Sequence, residues 1–380
     1  MEQINELGGI KNLGGAKLKL IKADTGGNPD LAASETERLI VVERCAAVGS
    51  NWPTSIAGAE IAERYETPAV HDMGVADTTM RGYKFINHTC NTGPMDAREC
   101  YITMSEFPDE KGIPRSKTCY LLYNQDDAMV SFAEGLKPML ADARIEVIGE
   151  EIVPPTPSTY VPQLIKIEAL APDVLWQCAY TPDCMIFFRE MYERKTYFPH
   201  GVSSCGAGTE DPDFFTELPA EYYNLHLFVQ EDSDAMPDIE PWYEYLNAKV
   251  QEKIGKPWTG HLPSAYCAIW VIKDALERVV FDPNLQQFRL NLQEAIRATD
   301  ISLDNCPNAT ATLPDGTTYC AALVQAKWDR ITFDETGQNV YSHGQISQII
   351  DDVRHIMWPF RDRQPGSPDL IFPIPPWDER

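Results

Sequence analysis

Seven histidines, His71, His88, His200, His226, His261, His343 and His355, are the side chains best suited to metal or acid–base chemistry. No two of them stand at the i, i+4 spacing that puts two imidazoles on one helical face, and no HExxH occurs. The nearest approach to a nucleophile elbow, Gly201 to Gly206, reads GVSSCG instead of GxSxG, and Gly206 with Gly208 supplies only the first two glycines of a dinucleotide loop. A GxxxxGK[ST] phosphate cradle is absent too. Asp126 and Asp127 form a carboxylate pair, which in a chain with 57 acidic residues reads as a solvated loop. These residues point away from turnover: the chain reads as a protein that is not an enzyme, with no metal and no cofactor.

Ten cysteines are spread along the chain without a CxxC spacing. Cys306 and Cys320 flank a loop marked by Pro307, Pro314 and Gly316, and form a candidate disulfide if the protein is exported. The pairs Cys90 with Cys100 and Cys178 with Cys184 are also close in sequence, but buried free thiols suit them at least as well.

The elements that must position any site alternate as β-α-β units. Leu18 to Ala23 reads as a strand. Asn28 then caps a helix with Pro29 at its first position, and Leu31, Ala32, Leu39 and Ile40 form its apolar face. Ala46 to Gly49 reads as a strand, Ile56 to Tyr65 as a helix and Pro68 to Val70 as a strand. A second series runs from a strand at Lys117 to Tyr123 through a helix at Ser131 to Asp142 and a strand at Glu146 to Gly149. It continues with a helix at Pro162 to Leu170, a strand at Val174 to Gln177, a helix at Asp183 to Arg194 and a strand at Leu225 to Val229. Ala265, Ile269, Ile272, Leu276 and Val279 recur at three- and four-residue steps as one buried helical face, and Phe288 to Ala298 is a further helix. The last 23 residues, rich in proline, read as an extended tail packed on the surface. Two α/β lobes follow.

Composition bounds the partners. With 32 basic side chains against 57 acidic ones the formal charge is −25, which disfavours nucleic acid and anionic membrane surfaces. At 43% hydrophobic and 23% charged residues, with no apolar run near the roughly 18 residues of a membrane helix, disorder and membrane spanning are both excluded.

The segment Ile4 to Asp24, INELGGIKNLGGAKLKLIKAD, resembles the opening of the solute-binding proteins of branched-chain amino acid and amide ABC importers. The resemblance continues through Asn28 and Pro29, through AAVGSNWPTSIAGAEIAERYETPAV, Arg81-Gly82-Tyr83 and Ser264-Ala265-Tyr266, to the ITFDETG turn at Ile331 to Gly337. It implies two doubly wound, Rossmann-like lobes joined by three crossovers and closing on a ligand, the type I periplasmic binding protein architecture. The implied division is 1–112 with 238–325 for lobe 1, 113–237 with 326–357 for lobe 2, and 358–380 for the tail.

In a doubly wound sheet ligands sit at the carboxyl ends of the strands, near helix N-termini. Thr54 and Ser55 match the family's serine-rich ligand loop, an ordinary helix cap being the alternative, and Trp52 is either a stacking wall or a rim hydrophobe. Asp72, Met73 and Gly74 fall in the next ligand loop, where the acid is a departure from the family's small residues and hydroxyls. From lobe 2 the resemblance brings Tyr180, the strand end at Asn124 to Asp127, and Ser203 or Ser204 at the position where amino acid binders hold the ammonium with an acid. Asp72 and that missing acid tilt the ligand toward a neutral or cationic small polar solute such as an amide.

The resemblance therefore implies a monomeric, periplasmic or otherwise extracytoplasmic receptor that hands its ligand to an ABC importer permease. A ligand-sensing regulator or receptor domain of the same fold is the alternative. Relatives carry a strand and most of a helix before the INxxGGI text, and that strand is central to its sheet. We expect Met1 to be an internal methionine or a misassigned start, with a strand and an export signal upstream.

Overall fold

The computed structural model describes residues 1–49, 55–71, 77–230, 241–258, 262–325, 328–351, 353–363 and 365–380. In chain order the helices and strands are α1 (Glu2–Glu6), α2 (Pro29–Val41), α3 (Ser55–Arg64), β1 (Ala69–His71), α4 (Asp77–Met80), β2 (Ile86–His88), α5 (Gly93–Lys111) and β3 (Thr118–Asn124). Next come α6 (Asp127–Ala143), β4 (Glu146–Val153), α7 (Val161–Leu170), β5 (Val174–Cys178), α8 (Thr181–Arg194), β6 (Val202–Cys205), α9 (Pro212–Glu217) and β7 (Leu227–Gln230). Then follow α10 (Pro241–Ile254), α11 (Leu262–Leu276), α12 (Leu285–Arg297), β8 (Asp300–Ser302), β9 (Thr310–Thr312), β10 (Thr318–Cys320), β11 (Arg330–Thr332), β12 (Gln345–Ile350) and β13 (Val353–Trp358). Chain contacts divide the protein into unit 1, Met1–Thr92 with Glu240–His343, and unit 2, Gly93–Ile239 with Gly344–Arg380. The division differs from the 112/113 and 325/326 boundaries read from the sequence. Helix α5 packs along α6 and onto β6, so it belongs to unit 2, and β11 with the turn after it belongs to unit 1.

Unit 2 carries one seven-stranded sheet in the order β13-β12-β7-β6-β5-β3-β4. Its members from β7 to β4 pair in parallel, while β12 is antiparallel to both β7 and β13. Alternation of side chains along each strand gives two apolar faces. Tyr120, Leu122, Leu175, Val202 and Phe228 pack with Leu164 and Ile167 of α7 and Phe187 and Phe188 of α8. The opposite face, with Leu121, Tyr123, Trp176 and Cys178, lies under α5 and α6, and the Tyr123 and Trp176 rings are 5.5 Å apart. The proline-rich tail is part of this unit and not a loose appendage: Leu370, Phe372 and Ile374 are buried. Gln348 of β12 donates to Ile371 O at 2.9 Å and accepts from Ile371 N at 2.9 Å, and Trp377 Nε1 donates to Thr196 O at 2.7 Å.

Unit 1 is built differently. Asn28 Oδ1 accepts from Leu31 N at 3.0 Å and starts α2 with Pro29 in its first turn, as the sequence predicts. Among the described residues its parallel pairing is limited to β1 with β2, extended by single bridges of Val48 with Ala69 and of His88 with Gln338. Two corrections follow. Leu18 to Ala23 forms no strand: Asn5 brackets Leu18 with bonds of 2.8 and 2.9 Å, and beyond it Leu20 is 55% exposed. Ala46 to Gly49 contributes one bridge only, because a strand requires a ladder partner and apolar content alone does not supply one. The core rests instead on α11 and α12, with Trp270, Val271, Leu292 and Ile296 packed around Trp328 and Ile331. Cys306 and Cys320 are joined by a disulfide.

The ITFDETG turn positions the end of β2. Asp334 Oδ1 accepts from Thr336 N at 2.8 Å and Gln338 N at 3.1 Å, and Gly337 O accepts from His88 N at 2.8 Å. Gly337 has φ +90, and a Cβ there would lie 2.1 Å from Ile86 O, so only glycine fits.

Candidate functional site

In unit 2 the carboxyl ends of β3 and β5 meet through Tyr180. Its amide donates to Asn124 Oδ1 at 3.1 Å and its hydroxyl donates to Asp126 Oδ2 at 2.8 Å. Asp126 also caps α6, its Oδ1 accepting from Ala128 N at 3.1 Å. Asn124 is fully buried and completes the support, with Nδ2 donating to Val153 O and to Tyr160 Oη at 3.4 Å each. The phenol of Tyr160 is held well above its ordinary range by burial and by Asp183, and burial likewise raises the Asp183 carboxyl. The structure thus presents a tyrosine ring fixed at both its backbone and its hydroxyl, beside a carboxylate. Such a pair can cover an apolar group and accept from an N–H donor.

Asp126 was read from the sequence as a solvated loop acid, yet its place immediately before a helix is the N-cap signal that could have found it. Asp127 opens α6, and its side chain lies outside the described residues. Ser203 and Ser204 are corrected: both are buried inside β6 and do not line the loop after it. Ser204 Oγ donates to Gln177 Oε1 at 2.8 Å on the neighbouring strand. The reason is that the residues around Tyr197 form a turn, with Thr196 N bonded to Met191 O and Gly201 N to Phe198 O, so the strand starts at Val202. The loop at the end of β6 is Gly206 to Glu210, in which Thr209 and Glu210 are buried. A Cβ on Gly208 would stand 2.2 Å from Ala179 O, so this loop packs directly on the one carrying Tyr180. The paired glycines Gly206 and Gly208 were the available signal.

In unit 1, Ser55 is buried at the start of α3. Trp52, Thr54, Asp72, Met73 and Gly74 lie outside the described residues. Immediately before the second of those loops, His71 ends β1 and stands in register with His88 at the end of β2. His88 Nδ1 lies 2.9 Å from Cys90 O, an acceptor, so this nitrogen carries the proton. Burial, with His71 beside it, pushes the His88 pKa down to about 3, which keeps the ring neutral. Among the described residues no group of three or more His, Cys, Asp or Glu side chains could hold a metal ion, and no helix is long and apolar enough to cross a membrane.

Comparison with solved structures gives the same architecture at low identity. A leucine-binding protein, LivK, from Thermotoga maritima superposes with a TM-score of 0.71 at 19% identity, covering 93% of this chain and 90% of that one. A putative branched-chain amino acid ABC transporter protein from Silicibacter pomeroyi gives 0.74 at 16% identity, covering 99% and 92%. The substrate-binding protein LivJ from Streptococcus pneumoniae, solved with isoleucine, gives 0.70 at 13% identity, covering 93% and 90%. A search of curated proteins finds no match. A family model described as periplasmic binding protein matches residues 1–330, and the chain belongs to that family.

Proposed function

We propose that this protein is an extracytoplasmic receptor that captures a small polar solute of amino acid or amide type and delivers it to an ABC importer. Membership of the periplasmic binding protein family supports the receptor role, and the leucine and isoleucine named for the similar structures indicate the size of solute. The observation that carries the ligand chemistry is the Asp126–Tyr180 pair at the carboxyl ends of β3 and β5. A carboxylate accepts but does not donate, so the group it meets carries N–H, as an ammonium or an amide does. Tyr180 covers the apolar part of the same solute. The protein acts as a monomer, with the permease as its partner.

A thermal-shift screen against branched-chain and polar amino acids, aliphatic amides, urea and polyamines tests the reading. A true ligand at about 100 times its Kd stabilises the fold by roughly 2.7 kcal/mol, a shift of a few degrees. Asp126→Asn keeps the helix cap but loses the charge, and should weaken the active solute by about 1.5–3 kcal/mol, roughly ten- to a hundredfold. Silence across the panel, or a purely anionic ligand bound equally well by Asp126→Asn, would overturn the proposal.

A further inference from the structure

Unit 2 holds a group of fully buried cysteines that the receptor role leaves unused. Strands β5 and β6 pair in parallel with Cys178 directly opposite Cys205, so both side chains leave the sheet on the same face, the one under α5. Neighbouring strands run about 4.8 Å apart, inside the roughly 4.4–6.8 Å range of Cα separations that a disulfide spans. The Cys178 side chain already leans across: its Sγ lies 3.0 Å from where a Cβ would stand on Gly206, the residue after Cys205. Cys100, on α5 where that helix packs on β6, is fully buried as well.

We propose that Cys178 and Cys205 are a redox pair that closes to a disulfide across the carboxyl ends of β5 and β6. The oxidant is itself a disulfide, small-molecule or protein-borne. The Cys205 thiolate attacks one of its sulfurs and releases the other as a thiol, and the Cys178 thiolate then displaces the second from the mixed intermediate. Each cysteine gives up one proton, the pair gives up two electrons, and the oxidant leaves as two thiols. Burial raises both thiols above their ordinary range, so exchange belongs to the chain before its sheet closes or to a locally opened sheet. A cross-strand link needs its Cβ atoms about 3.5–4.5 Å apart, so the closed pair draws the two strand ends together. Tyr180 stands two residues beyond one end and Gly206 immediately beyond the other, and the link therefore acts on the loops of the candidate site.

The full chain, refolded with oxidised glutathione, is quenched in acid, denatured in guanidinium and alkylated with iodoacetamide. Ten cysteines less the Cys306–Cys320 pair leave eight free, and the proposal expects six alkylated, with a peptide joining Cys178 to Cys205. Cys100→Ala, refolded to the wild-type circular dichroism, should keep that cross-link and Cys178→Ser should abolish it; because thiols are read in the denatured state, alkylation reaches every free cysteine of each variant. Eight alkylated thiols after oxidation, or a peptide joining Cys205 to Cys100, would overturn it. The readout uses no solute, so it fails or succeeds independently of the receptor role.

Discussion

Unit 1 and unit 2 draw on the same kinds of apolar run, yet one builds seven strands in a single sheet and the other pairs two three-residue strands in parallel. In unit 2 each central strand has a neighbour on both sides, and runs such as Cys119 to Tyr123 satisfy their backbone groups while burying both faces. In unit 1, among the described residues, Leu18 to Ala23, interrupted by Lys19 and Lys22, makes no bridge and the apolar Ala46 to Gly49 makes one. The lesson is that apolar content selects burial, while pairing decides whether a buried run becomes a strand. Unit 1 compensates with helix packing, a disulfide and side-chain bonds to backbone. Arg289, for example, donates to Ile40 O at 2.8 Å and to Cys45 O at 2.7 Å.

The contrast can be broken by mutation. Phe188 packs edge-on against Phe187 and Phe214, with Phe228 and His226 also in ring contact. Phe188→Ala should cost about 3–5 kcal/mol in denaturant unfolding, and a loss below about 1 kcal/mol would mean that this face does not hold unit 2 together. Removing the unit 1 disulfide with Cys306→Ser and Cys320→Ser opens a loop of sequence separation 14 and should cost about 3 kcal/mol. The effect should appear in hydrogen exchange of unit 1 amides and leave β3, β5 and β6 protected; equal loss in both units would refute the division of labour.

A smaller effect is expected at Glu277, whose carboxylate accepts from Lys11 N at 3.1 Å and Asn12 N at 2.9 Å and pairs with Lys273 at 2.9 Å. Burial of the carboxyl opposes its ionisation, but the bonds from Asn12, Lys273 and Lys11 outweigh it and the pKa falls below the ordinary glutamate value. A depressed folded pKa gives stability that is present above the unfolded value and lost as pH falls through the folded one. Acid titration of stability should therefore be flatter for Glu277→Gln below about pH 4.3, the ordinary glutamate pKa. Identical slopes would remove Glu277 from the list of supports.

Helices carried their own signals. Asn28 with Pro29 marked α2, and the three- and four-residue steps from Ala265 onward marked α11, because caps and periodicity are local. Of the parallel strands of unit 2, β3, β4, β5 and β7 were legible from apolar runs between helices, and β6 was not. The absent strand at Leu18 to Ala23 was not, since a ladder partner is a property of distant residues. At the site, Tyr180 came through resemblance, whereas the tie from its hydroxyl to Asp126 spans 54 residues and leaves no local trace. Ser203 and Ser204 were misplaced for a related reason: turn and strand around Gly201 share similar composition, and a shift of a few residues moved both hydroxyls from a loop into the sheet.

The glutamine that holds the tail also has a kinetic consequence. Gln348 offers Ile371 a donor and an acceptor on one planar amide, much as a neighbouring peptide group would. The Ile371 N–H is thereby sequestered although no helix or strand includes it. Its deuterium uptake should resemble that of a sheet amide and mark a slowly exchanging point in a segment that is otherwise largely without helix or strand.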